Sequence, residues 1–114
     1  MAATCEDNDD DLTCRNANAG VRIIVRDAVT NENMADGVTV QIQDVNSDYS
    51  ETLQPVFEAD SYRFYGAYGR PGTYEVRASK PGYASYTSNS LLVVTLIDRC
   101  SVTLAGRVIN LQPL

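Results

Sequence analysis

The stretch Gly69-Arg70-Pro71-Gly72-Thr73-Tyr74-Glu75-Val76-Arg77-Ala78-Ser79-Lys80-Pro81-Gly82-Tyr83 decides the fold, because two Pro-Gly turns bracket a single strand. Proline fixes φ for a turn, and the glycine after it supplies a positive φ. This pattern gives structural roles to four residues: Pro71, Gly72, Pro81 and Gly82.

Between these turns, Tyr74, Val76 and Ala78 alternate with polar side chains and are expected to point inward. Tyr74 lies two residues after the first Pro-Gly pair, which fits a tyrosine corner, with a buried ring and a hydroxyl bonded to the backbone.

Similar alternation recurs along the chain, whereas no window has helical periodicity over three turns. Strands are predicted at 21–26, 38–43, 49–56, 61–68, 84–87, 91–96 and 100–111. In the fourth, Tyr62, Phe64 and Tyr68 are expected on one face. About seven short strands indicate an all-β chain with a single antiparallel Greek-key β-sandwich, of the kind found in immunoglobulin domains.

Charge divides the chain into an acidic N-terminal extension, 1–19, and a sandwich domain, 20–114. The net charge is −6, yet residues 12–114 hold ten acids against nine bases, because Glu6, Asp7 and Asp9–Asp11 carry the excess. The absence of a basic stripe argues against nucleic acid and anionic membrane surfaces as partners.

Three cysteines without CxxC spacing, in a chain with no histidine, do not match a zinc or haem motif. A Cys14–Cys100 disulfide would close a long loop worth roughly 4 to 5 kcal/mol, against about 2.5 to 3 for Cys5–Cys14. We favour Cys14–Cys100, with three reduced thiols as the alternative. Cys5 is then a candidate for lipid modification, an intermolecular bridge or a free thiol.

A disulfide and the abrupt Met1-Ala2-Ala3 start together predict a secreted, periplasmic or cell-surface protein whose leader has been replaced by an initiator methionine. Membrane contact is expected only through a lipid anchor on Cys5, since no stretch reaches the length of a membrane span.

The segment 70–83, preceded by Val25-Arg26-Asp27-Ala28-Val29-Thr30, resembles the carboxypeptidase regulatory-like domains, which are transthyretin-like sandwiches. The likeness covers residues 20–112. In small bacterial exported members, one cysteine precedes the first strand and another opens the last, as Cys14 and Cys100 do. The resemblance implies a non-catalytic accessory domain. Related adhesin repeats form an isopeptide bond from a first-strand lysine, but that strand here carries Arg22 and Arg26, so no such bond is expected.

The residues argue against an enzyme and against a cofactor. Without histidine, Ser-His-Asp and Cys-His nucleophiles cannot exist, and no carboxylate lies in an apolar run that would suit a general acid. Asp7, Asp9 and Asp11 alternate as in calcium loops, but the turn glycine and the distal glutamate are missing, so they form only a weak calcium candidate. The glycine-containing segment 66–72 leads into a strand and is interpreted as a turn.

Exposed tyrosine is a common anchor for proteins and sugars. Tyr65, Tyr83 and Tyr86 are therefore the candidate binding patch. The main hypothesis is an accessory or structural domain that binds a protein partner. The alternatives are a self-assembling fibre subunit, which uses its N-terminal arm or a strand edge, and a carbohydrate or small-ligand module.

Overall fold

A computed structural model describes residues 17–88, 90–99 and 101–114, and these residues are all-β, with no helix among them. They form nine strands: β1 (Val21–Asp27), β2 (Thr39–Asp44), β3 (Ser50–Thr52), β4 (Gln54–Glu58), β5 (Ser61–Gly66), β6 (Gly72–Ser79), β7 (Tyr86–Thr87), β8 (Leu92–Val94) and β9 (Ala105–Leu111). None of these described residues belongs to a helix that is long and apolar enough to cross a membrane.

The strands form two sheets. Sheet A has the order β4-β5-β1-β9, and sheet B has the order β3-β2-β6, with β7 and β8 pairing two successive parts of β6. β1 and β9 pair in parallel along seven residues, from Val21 opposite Ala105 to Asp27 opposite Leu111. The other strand pairs are antiparallel.

Period-two alternation places the core between the sheets, as the sequence predicts. On β6 the buried residues are Tyr74, Val76 and Ala78. The buried apolar side chains of β1, which are Val21, Ile23 and Val25, belong to the same core. The residues between them point outward and are polar except for Ile24, so the expectation of an all-β chain with one apolar core is confirmed.

The predicted strand 49–56 is in fact two strands in different sheets. β3 pairs with β2 in sheet B, and β4 pairs with β5 in sheet A, so the chain crosses between the sheets at Leu53. Leu53 is 2% exposed, and its amide donates to the carbonyl oxygen of Val40 at 2.8 Å. The sequence did not mark the boundary between β3 and β4, because the crossover residue Leu53 is apolar and buried as a strand residue would be.

The predicted strand 61–68 ends earlier, at Gly66. Ala67 has φ of 53° and is buried, so the backbone turns there and Tyr68 is left exposed. The expectation that Tyr68 shares a face with Phe64 is therefore wrong. Other strands are also shorter than predicted, since 91–96 contracts to Leu92–Val94 and 100–111 to Ala105–Leu111.

Asn18, two residues before Gly20, makes hydrogen bonds to two loops of the sandwich. The Asn18 side chain donates to the Val102 carbonyl at 2.7 Å and accepts from the Val102 amide at 3.0 Å. The Asn18 carbonyl oxygen also accepts from the Gly69 amide at 2.9 Å. Asn18 therefore fastens the start of the described chain to two loops of the domain.

Candidate functional site

The three tyrosines of the predicted binding patch do not lie on one surface. Tyr65 is on the outer face of sheet A, where its hydroxyl donates to Glu58. Tyr83 and Tyr86 are half-buried and pack against the core. The Tyr83 hydroxyl is committed to Asp27, at 2.6 Å from Oδ2. The structure therefore places Tyr65 apart from Tyr83 and Tyr86, which both pack against the core.

Tyr74 has the geometry of a tyrosine corner. Its ring is fully buried, and its hydroxyl donates to the carbonyl oxygen of Arg70 at 3.0 Å, four residues earlier. Burial raises the pKa of Tyr74. The contact fixes the loop that leads into β6, which suits a structural residue.

The two Pro-Gly turns differ in why they need glycine. Gly82 has φ of 86°, as predicted, whereas the positive φ near the first turn belongs to Gly69, at 63°. The expectation of a positive φ at Gly72 is therefore wrong. A Cβ at Gly72 would lie 3.0 Å from Cζ of Tyr74, so glycine leaves room there for the tyrosine ring.

Several predicted site residues lie outside the described residues: Cys5, Asp7, Asp9, Asp11, Cys14 and Cys100. The disulfide and the weak calcium candidate thus remain predictions. Within the described part of the chain, no three Cys, Asp or Glu side chains are grouped closely enough to hold a metal ion.

A polar network that the sequence analysis missed joins the loops at one end of sheet B. Arg70 pairs with the buried Asp44 at 3.3 Å, and its guanidinium carbon lies 3.9 Å from the centroid of the Tyr49 ring. The Tyr49 hydroxyl donates to Glu51 at 2.7 Å. Glu51 also accepts from the Ala67 amide at 2.9 Å.

These contacts perturb two pKa values. Burial, followed by the hydrogen bond to Glu51, raises the pKa of Tyr49 to about 12. The amide of Asn46, followed by Ser47 and Arg70, lowers the pKa of Asp44. At neutral pH the Tyr49 phenol is therefore neutral and the Asp44 carboxylate is ionised. The hydrogen-bond donors and acceptors of the network contact one another, so the network is suited to holding the loops in place.

The most exposed aromatic pair in the described part of the chain belongs to the β4–β5 hairpin. The two-residue turn, Ala59-Asp60, has φ of 51° and 64°, the signs of a type I′ turn. Behind it, Phe57 and Tyr62 are directly opposite each other, with ring centroids 4.9 Å apart. They share the inner face of sheet A with the buried Phe64, yet they are 60% and 42% exposed. The hairpin therefore extends beyond the cover of sheet B.

A shallow groove lies beside this pair and is lined by Ala35, Asp36, Gly37, Pro55 and Tyr62. Together with Phe57, these residues are called the hairpin groove below. Asn33 fixes one wall, because its side chain accepts from the Tyr62 amide at 2.6 Å and donates to the Tyr62 carbonyl at 3.1 Å. Lys80 donates to the carbonyl of Asp36 and holds the other side of the loop.

The groove combines an apolar wall with backbone that is held in place, which is suited to accepting an apolar side chain from a partner. The sequence analysis placed Tyr62 on one face with Phe64 but ended the preceding strand at Val56, before Phe57, so it did not find the pair. Only the extent of sheet B decides that they are exposed. The pair Ala59-Asp60 also lacks the Asn-Gly sequence that usually indicates such a hairpin.

Comparison with known proteins adds no relative: no protein-family model matches the chain, and no curated protein matches it.

Proposed function

We propose that the chain is a non-catalytic accessory domain of an exported protein, with the transthyretin-like Greek-key topology of the carboxypeptidase regulatory-like domains it resembles, and that it binds a protein partner through the hairpin groove. The observation that carries the proposal is the exposed Phe57–Tyr62 pair on a rigid hairpin. Aromatic residues that are already ordered lose little conformational entropy on binding, and they dominate the energetics of protein interfaces.

The partner we envisage presents an apolar side chain to the groove, between Pro55 and the loop at Ala35. The rim around this position is polar, since Asp36 and Asn33 border the rings. An apolar centre with a polar rim is the usual composition of a non-obligate protein interface. The domain would therefore fold alone and bind reversibly.

Export is supported by the position of Asn18. Its two hydrogen bonds attach the chain to Val102, and Cys14 lies four residues before Asn18, whereas Cys100 lies two residues before Val102. Such short connections are compatible with a Cys14–Cys100 bridge, which would persist only in an oxidising compartment. Mass analysis after thiol alkylation without reductant tests this. A bridged Cys14–Cys100 peptide is expected, and three alkylated thiols would remove the argument for export.

The binding proposal is tested by placing a photo-crosslinking phenylalanine analogue at position 57 and, as a control, at position 68. Tyr68 is a matched position because it is 56% exposed, close to the 60% of Phe57, and follows the far end of β5. The cell-envelope or secreted fraction is illuminated with each protein. We expect one protein to be captured from position 57 and not from position 68.

The captured partner is then purified and titrated by calorimetry. Phe57→Ala should weaken binding about tenfold or more, as for a central aromatic anchor, whereas Tyr68→Ala should leave it unchanged. Equal capture from both positions, or binding that tolerates Phe57→Ala together with Tyr62→Ala, would show that the hairpin groove is not the interface.

Self-assembly remains a second candidate because β9 has an open edge. The Ala105 amide donates to the Gly20 carbonyl, so the backbone hydrogen-bonding groups of every second β9 residue point towards β1. Those of the residues in between, which are Gly106, Val108 and Asn110, point away from β1. No described strand pairs with that side. Val108→Pro removes an outward-pointing amide, so a strand from a second copy should no longer pair with β9. Light scattering of the wild type and the variant measures whether oligomers are lost. The carbohydrate alternative has no such support, since Tyr65, Tyr83 and Tyr86 do not share a surface.

A further inference from the structure

The outer face of sheet A concentrates arginine into a basic face that the sequence analysis did not find, in a domain whose overall net charge is close to zero. Strand pairing aligns the outward side chains of β1, β5 and β9, among them Arg22, Arg26 and Arg63. These are three of the nine basic side chains in the chain. Among the outward positions of the four strands, the one carboxylate is Glu58. We refer to Arg22, Arg26, Arg63 and the apolar residues Ile24 and Val108 as the arginine face.

Glu58 is already used by its neighbours. It lies 3.7 Å from the Arg63 guanidinium and also accepts the Tyr65 hydroxyl. Within the part of the chain that the structure describes, neither Arg22 nor Arg26 has a carboxylate within 4.0 Å. Two outward positions of β1, on either side of Ile24, therefore present positive charge that no described carboxylate within 4.0 Å neutralises.

The arginine face also has a shape into which a peptide can settle. A shallow groove runs between β1 and β9 and is lined by Arg22, Ile24, Gly106, Arg107 and Val108. A Cβ added at Gly106 would lie 3.4 Å from Nη2 of Arg22, so the guanidinium lies across Gly106 at the floor of this groove. Guanidinium groups bind carboxylates in a planar, two-point manner, which favours an acidic ligand here.

The chain carries such a ligand in its own sequence. The segment Glu6-Asp7-Asn8-Asp9-Asp10-Asp11 has five carboxylates in six residues and supplies five of the six net negative charges. We infer that this acidic segment of one copy docks on the arginine face of a second copy. This inference rests on the self-association candidate and not on the hairpin groove.

The direction of the chain favours a second copy over the same copy. Asn18 lies opposite Val102 at the same sequence offset, 84, that relates Val21 to Ala105 in the β1–β9 pair. At Asn18 the chain thus continues the line of β1, and Arg26 lies eight residues away in the opposite direction, about 26 Å along the strand. Residues 12–17 span at most about 20 Å. Docking within one copy would require this linker to reverse its direction after Asn18 and run back over the sheet towards Arg22, which lies only about 13 Å away.

Sedimentation velocity of the full chain at a series of concentrations, at about 20 mM and about 300 mM salt, tests the inference. We expect association at low salt with a dissociation constant that rises at least tenfold at high salt. Arg22→Glu should weaken association, whereas Arg77→Glu is the control. Arg77 carries the same charge on sheet B and already pairs with Glu75 at 3.0 Å.

A mixing experiment identifies the two surfaces. A face variant, Arg22→Glu with Arg26→Glu, retains the acidic segment, and a segment variant, Asp9→Asn with Asp10→Asn and Asp11→Asn, retains the face. Each alone should be monomeric, and an equimolar mixture should associate, because the segment of the first can dock on the face of the second. Circular dichroism verifies that both fold.

A wild-type monomer at low salt, or a mixture that stays monomeric, would overturn the inference. Association that is insensitive to salt and lost in Val108→Pro would indicate strand addition at β9 and would also overturn it, while the self-association candidate would stand. Capture of a partner at Phe57 is unaffected by any of these results.

Discussion

Substitutions at Leu53 and Gly66 should reveal the crossover between the sheets as a strong energetic coupling. Leu53 is 2% exposed, and Leu53→Ala should cost about 3 kcal/mol of unfolding free energy, within the range for buried leucine. A Cβ at Gly66 would lie 2.1 Å from Cδ2 of Leu53, so Gly66→Ala should cost about 2 kcal/mol through overpacking.

The double variant distinguishes this geometry from two independent losses. Leu53→Ala removes the methyl group that the new Cβ would strike, so the pair should cost about 3 kcal/mol and not the additive sum of about 5. Some strain will remain, because the same Cβ lies 3.1 Å from Oε2 of Glu51. Urea unfolding of the four proteins, with unchanged m-values, measures the coupling.

Gly82→Ala serves as the control. Its φ is 86° and nothing lies within 4 Å of the added Cβ, so its cost of about 1 kcal/mol should arise from the backbone alone and should add to that of Leu53→Ala. Additive costs for Leu53 and Gly66 would refute the crossover at Leu53, and with it the position of the hairpin that carries Phe57 and Tyr62.

The remaining predictions concern the hairpin turn and two titrating groups. Ala59→Gly should raise the unfolding free energy by about 1 kcal/mol in urea, because alanine is held at φ of 51°. The pKa of Tyr49 is raised to about 12, so the stability that its neutral form contributes is present below pH about 10 and lost towards pH about 12. Tyr49→Phe should flatten this alkaline loss, and the most alkaline step in a phenolate absorbance titration should diminish. The Tyr83 hydroxyl, followed by the backbone amides, lowers the pKa of Asp27. Its contribution is therefore present above pH about 4 and lost as the pH falls, so Asp27→Asn should have a smaller acid-induced loss of stability in urea titrations at several pH values.

The strands that were predicted most accurately are those in which the apolar positions of the sequence pattern are also the buried positions of the structure. On β1 and β6, every second residue is apolar over Val21–Val25 and Tyr74–Ala78, and the sheets bury these positions. A period-two pattern then determines both the secondary structure and the buried face. Tyr74 could be assigned a structural role for the same reason, since the preceding turn brings its hydroxyl to a backbone carbonyl only four residues away.

The candidate sites were harder to predict because they depend on partners distant in sequence. The tyrosines were grouped from residue type and position in the predicted strands, yet Tyr83 is engaged by Asp27, which lies 56 positions earlier, and Tyr65 is on the outer face of sheet A. Asn33 fixes Tyr62 across 29 positions. No local pattern encodes such contacts, because they exist only once the strands have paired.

The sequence by itself determined an all-β chain, the inward faces of its best strands and a concentration of negative charge before residue 12, since these follow from residue type and periodicity alone. Only the tertiary structure decided that the chain changes sheets at Leu53, that Phe57 and Tyr62 extend beyond sheet B, and that Arg22 and Arg26 meet Arg63 on one face. Alternation tells which side of a strand a residue occupies, but strand order and sheet length decide what, if anything, covers that side.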